Sequence, residues 1–172
     1  MLAIHSLGAP WLDKLMKAVT HAASGGAALI TGVAAIWLWR HRRREETVAL
    51  LICVAGAAAA NAILKQVFAR PRPLVFPPLT IELTYSFPSG HTITALALYG
   101  FLAILLWRAG HRVWALLAGA TIPLIGFSRI YLGVHYPSDV LAATTLGILW
   151  LILIFTGLAS YNRRHPSETT QD

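Results

Sequence analysis

Five stretches of this chain, residues 19–39, 47–68, 90–107, 113–132 and 138–160, are strongly apolar and carry no more than one formally charged residue each. A bilayer core of about 30 Å is crossed by about 20 mostly apolar residues in a helix. A soluble domain of 172 residues has no interior large enough to bury five such segments. Composition agrees, because only 12% of the residues are charged and 56% are apolar, whereas ordinary globular domains carry about 25% charge. The expectation is an all-α integral membrane protein with about five transmembrane helices. One domain over residues 1–162 would be followed by a polar cytoplasmic tail at 163–172.

The opening segment, residues 4–19, differs from the five. Leu7, Trp11, Leu12, Leu15 and Val19 recur at helical spacing, with Asp13, Lys14 and Lys17 off that stripe. It is too short and too polar to span. Two readings follow: an amphipathic helix lying at the interface with Trp11 at headgroup depth, or a helix packed against the bundle. The first residues lack the basic, apolar and small-residue sequence of a secretory signal, so none is expected. Cys53 is the only cysteine and reads as a small buried residue.

The net charge of +7 raises nucleic-acid binding, but the placement of the charge argues against it. The densest run, Arg40-His41-Arg42-Arg43-Arg44, separates two apolar segments, as a cytoplasmic loop of a membrane protein does. Between the second and third spans, Pro71, Pro73, Pro77, Pro78 and Pro88 forbid a continuous helix, and a long loop in a compact protein is usually functional or disordered. In the fourth span Pro123 predicts a kink, and Gly119 and Gly126 permit close helix packing.

Three motifs flank these elements. Lys65 is followed after six residues by Arg72-Pro73; Pro88-Ser89-Gly90-His91 opens the third span; Ser128-Arg129 is followed after five residues by His135 and after three more by Asp139. Together they resemble the three-part pattern of the type 2 phosphatidic acid phosphatase family, which includes bacterial undecaprenyl-pyrophosphate phosphatases. The resemblance covers residues 62–139 and fills every fixed position. It implies a membrane lipid phosphatase that needs no metal or other cofactor. His135 would be the nucleophile, His91 would protonate the leaving oxygen and then activate water, and Lys65, Arg72, Ser89, Gly90 and Arg129 would bind phosphate. Vanadium haloperoxidases share the motifs but are soluble, and the five apolar spans set this chain apart from them.

The residue chemistry stands beside that resemblance. Ser89 precedes an apolar helical run and is a favoured N-cap. A helix start offers unpaired N–H groups to an anion, and Gly90 lets the anion approach the backbone. Lys65, Arg72 and Arg129 would place fixed charge around a transferring phosphoryl group. Lys65 also reads as a snorkelling helix-end lysine, with Asn61 one turn earlier able to bond it, and Arg72 as a loop charge. Arg129, flanked by apolar residues, is an ionisable group near membrane depth and so a functional candidate. Pro137 suits the first position of the fifth helix, which puts Asp139 in its first turn, just after His135. The carboxylate can then orient one ring nitrogen and aim the other outward, or merely stabilise the helix start. Arg70 fits no motif position and reads as an ordinary loop or headgroup-facing charge. A metal bound by His91, His135 and Asp139 is disfavoured by the three cations nearby.

Basic residues suggest the orientation. Arg40, Arg42, Arg43, Arg44, Arg108, Arg112, Arg163 and Arg164 fall on one side. With Lys65, Arg72 and Arg129 assigned to the site, the other side keeps Lys14, Lys17 and Arg70. The positive-inside rule then puts the motifs outside a bacterial cytoplasmic (inner) membrane and the C-terminus inside. The substrate would be a lipid phosphate or pyrophosphate, with undecaprenyl pyrophosphate preferred over phosphatidylglycerol phosphate or phosphatidic acid. A lipid phosphotransferase would use the same residues, whereas a small transporter or lipid-binding bundle would not need the histidines.

Overall fold

The computed structural model describes residues 8–165, all helical apart from turns and one long loop. Six helices follow in order: α1 Pro10–His21, α2 Gly25–Arg40, α3 Arg44–Phe68, α4 Gly90–Arg108, α5 Arg112–Tyr131 and α6 Pro137–Arg164. Helices α3 to α6 are each long and apolar enough to cross a membrane; α1 and α2 form a pair bent by 40°, making up to five spans. The expected first span over 19–39 is therefore not one straight helix. It breaks at residues 22–24, and α2 alone has 16 residues, about 24 Å at 1.5 Å per residue. Residues 4–7 of the expected amphipathic segment, and 166–172 of the expected tail, lie outside the described residues. Helix α6 runs through Arg163 and Arg164, beyond the expected end of the fifth span at 160.

Helix ends follow local chemistry. Pro10 and Pro137 occupy first-turn positions where a missing N–H costs nothing. Helix α3 opens on Glu45 and Glu46, acidic residues at the positive end of the helix dipole. It stops where Ala69 turns left-handed at φ 40° and Pro71 follows. Helix α5 continues through Pro123, so the expected kink does not end it.

The long apolar helices surround α4, which buries more than half of its span, against about a quarter for the others. Within α4 the backbone widens to a single π turn over Leu96–Gly100, and the buried Cys53 thiol donates to the Ala97 carbonyl there at 3.4 Å. Gly126 lets α5 approach α6 closely, since a Cβ there would stand 2.9 Å from Val140; the equivalent point at Gly119 faces open space. The outward faces carry Leu29, Val33, Ile36, Ile52, Ile63, Leu116, Leu141 and Ile152. So large an apolar exterior requires lipid as its solvent. Short turns alternate the helix directions, bringing Arg40, Arg44, Arg108, Arg112 and Arg164 to one end. Exposed Trp37, Trp39, Trp107 and Trp114 belong to the same end, as interfacial tryptophans do. The loop over residues 69–89 and the α5–α6 turn share the other end.

Helix α1 packs against that second end of the bundle. Met16 is buried with Tyr131, Leu132 and Val134, and Leu12 packs alongside them. Tyr131 donates its hydroxyl to Asp13 at 2.7 Å. The packed face thus includes Asp13 and Thr20, while Trp11 and Leu15 of the apolar stripe are exposed.

Candidate active site

A polar cavity of about 250 Å³ opens at the loop end of the bundle, and Lys65, Arg72, Glu82, Gly90, His91 and His135 line it. Four separate parts of the chain converge there: the last turn of α3, the long loop, the first turn of α4 and the turn before α6. Ser89, Arg129 and Asp139 stand immediately behind them, all fully buried or nearly so. A larger groove of about 570 Å³ lies at the opposite end between α3 and α6, but its lining is mostly apolar.

Each cation is held by a different device. Lys65 is buried and donates to the Tyr85 carbonyl rather than to Asn61; Asn61 Oδ1 is buried without a hydrogen-bond partner among the described residues. Arg72 donates through Nε to the Thr84 carbonyl and through Nη1 to the Val134 carbonyl, both at 2.7 Å. Arg129, only 1% exposed, donates through Nη1 to the Thr20 hydroxyl at 2.7 Å and through Nη2 to Glu82. Its Nε is buried without a hydrogen-bond partner among the described residues.

Ser89 occupies the N-cap position of α4, but its side chain does not cap. Its Oγ accepts from the Thr92 hydroxyl at 3.0 Å, and the first backbone bond of the helix runs from Ile93 N to the Ser89 carbonyl. The N–H groups before it have no intrahelical acceptor, and Gly90 and His91 of that turn line the cavity, the condition for an anion seat.

His135 lies between Asp139 and Arg72. Its Nδ1 is 3.5 Å from Asp139 Oδ2, too long for a well-aligned hydrogen bond, and its Nε2 is 3.4 Å from Arg72 Nη1. Asp139 meanwhile accepts from Tyr136 N at 2.8 Å, from Ser86 Oγ and from Arg70 Nη1 at 2.8 Å. Arg70 is therefore no ordinary loop charge: it is ion-paired to the buried carboxylate. Burial pushes the His135 imidazole down; Asp139 draws it back up, but Arg129, Arg72 and Lys65 add to the lowering and leave it at about 4. Such a ring is neutral at neutral pH.

Glu82, Ser86 and Thr20 escape the motif reading. Glu82 pairs with Arg129 and lies 3.8 Å from Arg72. Burial alone would raise its carboxyl, but the Arg129 charge and hydrogen bond, with His91 and Arg72, outweigh burial and hold it below the usual range. One signal was available: Glu82 is the only acidic residue between Glu46 and Asp139, and it falls between the first two motifs.

Comparison with known proteins bears on the whole arrangement. The family model of the PAP2 superfamily matches residues 46–163, most of the chain. The chain belongs to the PAP2 superfamily. This PAP2 protein is 32% identical over 152 residues to phosphatidylglycerophosphatase B of Bacillus subtilis (strain 168), covering 84% of this chain and 74% of the relative. It is 34% identical over 150 residues to undecaprenyl-diphosphatase BcrC of the same organism, with the same coverage of each chain. Among solved structures it is similar to a transmembrane PAP2-type phosphatidylglycerolphosphate phosphatase from Bacillus subtilis, with a TM-score of 0.83 at 27% identity over 98% of this chain and 84% of that one. It is a multi-pass membrane lipid phosphatase of that superfamily. The bent α1–α2 pair falls outside the segment matched by the family model, yet it supplies Thr20 to Arg129.

Proposed function

We propose that the protein hydrolyses the terminal phosphate of a lipid carrier at the outer face of a bacterial cytoplasmic membrane, through a phosphohistidine on His135. Undecaprenyl diphosphate is the preferred substrate, as the resemblance to the undecaprenyl-diphosphatase suggests. Phosphatidylglycerophosphate is the second reading, favoured by the likeness to the solved phosphatidylglycerolphosphate phosphatase.

The observation that carries the mechanism is the contact of His135 Nε2 with Arg72 at 3.4 Å. A guanidinium is only ever a donor, so the nitrogen facing it carries the lone pair, and the ring proton sits on Nδ1 facing Asp139. Nε2 attacks phosphorus as the bond to the leaving oxygen breaks, and His91 gives that oxygen its proton. Lys65, Arg72, Arg129 and the α4 start balance charge on the three equatorial oxygens. Water then attacks the phosphorus, His91 takes its proton, and the P–N bond breaks to release inorganic phosphate and neutral His135.

The orientation rests on the end of the bundle that gathers Arg40, Arg44, Arg108, Arg112 and Arg164. That end, with the C-terminus, is cytoplasmic, and the catalytic cavity faces outward. The test is phosphate release by purified protein in detergent from undecaprenyl diphosphate, phosphatidylglycerophosphate and phosphatidic acid, with and without chelator. A kcat/KM highest for undecaprenyl diphosphate and unchanged by chelator is expected. Preference for phosphatidylglycerophosphate establishes the second reading, and loss of activity in chelator overturns the histidine mechanism.

A further inference from the structure

Asp139 is a fully buried carboxylate with more partners than an N-terminal helix residue requires. Its two oxygens are not equivalent. Oδ2 accepts from the Tyr136 N–H and the Ser86 hydroxyl and faces His135; Oδ1 is taken by Arg70. The same Arg70 nitrogen also bonds the Ser138 hydroxyl at 2.9 Å, and its guanidinium lies 4.1 Å over the Tyr136 ring. The Arg70 carbonyl accepts from Ser86 N at 2.8 Å. One residue therefore grips the carboxylate directly and, through its main chain, the hydroxyl on the other oxygen. Arg70 does not line the catalytic cavity. It reaches Asp139 from behind.

We propose that Arg70 is a positioning residue for the nucleophile: it locks the Asp139 carboxylate in the rotation that turns Oδ2 toward His135, and shares its negative charge so that the imidazole is not captured as an imidazolium. A buried carboxylate beside an imidazole, without another counter-charge, forms a tight ion pair with the protonated ring. Such a ring has no lone pair for phosphorus. With Arg70 in place the carboxylate is already neutralised, and His135 Nδ1 stands off at 3.5 Å. The other charged and titratable groups around the ring are Lys65 from α3, Arg72 and Glu82 from the loop, His91 from α4 and Arg129 from α5. Four of these five are cations or an imidazole, so none of the four supplies the negative partner that Asp139 would become without Arg70.

The proposal rests on His135 being the nucleophile, and the experiment separates the two. Arg70→Gln and Arg70→Lys are compared with wild type by steady-state kinetics on the faster of the two lipid substrates. The His135 ring is followed by 15N NMR of histidine-labelled protein in detergent, its signal assigned by its loss in His135→Ala. Arg70→Gln is expected to lower kcat about 10- to 100-fold, change KM little, and move the His135 midpoint upward by about one pH unit or more. Arg70→Lys should restore the midpoint. An unmoved midpoint in Arg70→Gln overturns the proposal, as does a raised KM at wild-type kcat, which would make Arg70 a substrate contact. Turnover by His135→Ala overturns the nucleophile reading instead, whatever Arg70→Gln does.

Discussion

Thr20 and Arg129, 109 residues apart in sequence, are joined by a 2.7 Å hydrogen bond from the guanidinium to the threonine hydroxyl. Helix α1 thereby holds a buried cation beside the polar cavity. A hydrogen bond to a charged group contributes about 1.5–3 kcal/mol, enough to set the angle at which Arg129 is presented.

Thr20→Val keeps the shape and removes that bond. It should lower kcat/KM about tenfold, while Arg129→Ala, like Lys65→Ala, loses roughly 2–4 kcal/mol of transition-state stabilisation. Steady-state kinetics of the three variants in detergent check the order. Equal activity of Thr20→Val and wild type would show that Glu82 alone positions Arg129.

His135→Ala should abolish turnover, and no acid-labile phosphoprotein should be trapped from it by rapid quench with radiolabelled substrate. Vanadate should inhibit the wild type competitively, because it adopts the five-coordinate geometry of the transferring phosphorus. Trapped label in His135→Ala would place the phosphoryl group elsewhere.

The lowered His135 gives the protein a stability that depends on pH. The unfolded ring titrates near its ordinary value of about 6.5, the folded one at about 4. Between those values the unfolded chain binds the extra proton. The contribution of His135 is therefore complete above about pH 6.5 and disappears as the pH falls toward 4. Thermal unfolding in detergent should show Tm falling over that window, and His135→Gln should flatten the slope.

Gly133 has φ 77°, and a Cβ there would stand 2.5 Å from the Phe76 ring. Gly133→Ala should cost about 1–2 kcal/mol for the left-handed backbone alone, plus whatever is needed to move Phe76. It should lower Tm, and because His135 is two residues away it should reduce kcat as well. A full-activity variant with unchanged Tm would mean that this turn is softer than its geometry implies.

Much of the site's neighbourhood was visible before any coordinates. Lys65, Gly90, His91, Arg129, His135 and Asp139 all sit at or within a few residues of a helix end, and alternating helix directions carry every one of those ends to the same side. The N-terminal region was harder. Its apolar stripe left two readings open, an interfacial helix with Trp11 at headgroup depth or a helix packed on the bundle. The structure packs Leu12 and Val19 of the stripe together with Met16 and Thr20, and leaves Trp11 and Leu15 exposed. Spacing counts apolar residues. It does not register that Asp13 and Thr20 have buried partners in Tyr131 and Arg129.

The long loop was the least legible part, for a related reason. Residues 69–89 have no hydrophobic period to reveal which side chains turn inward, so Arg70 and Ser86 look like any loop residues, and Glu82 stands out only as the lone acid between Glu46 and Asp139. Their roles follow from where the prolines lay the loop across the helix ends. The amino-acid sequence by itself determined an all-helical membrane bundle and the side of it on which the three motifs meet, because helix formation and transfer into lipid depend on short runs of neighbouring residues. The break at residues 22–24 and the run of α6 through Arg164 were not legible in it. Only the tertiary structure decided that Arg70 grips Asp139, that Glu82 and Thr20 hold Arg129, and that Lys65 turns to a loop carbonyl. Those pairings lie 20 to 109 residues apart, and what makes them is burial of charge, which requires a partner from whichever segment packs closest.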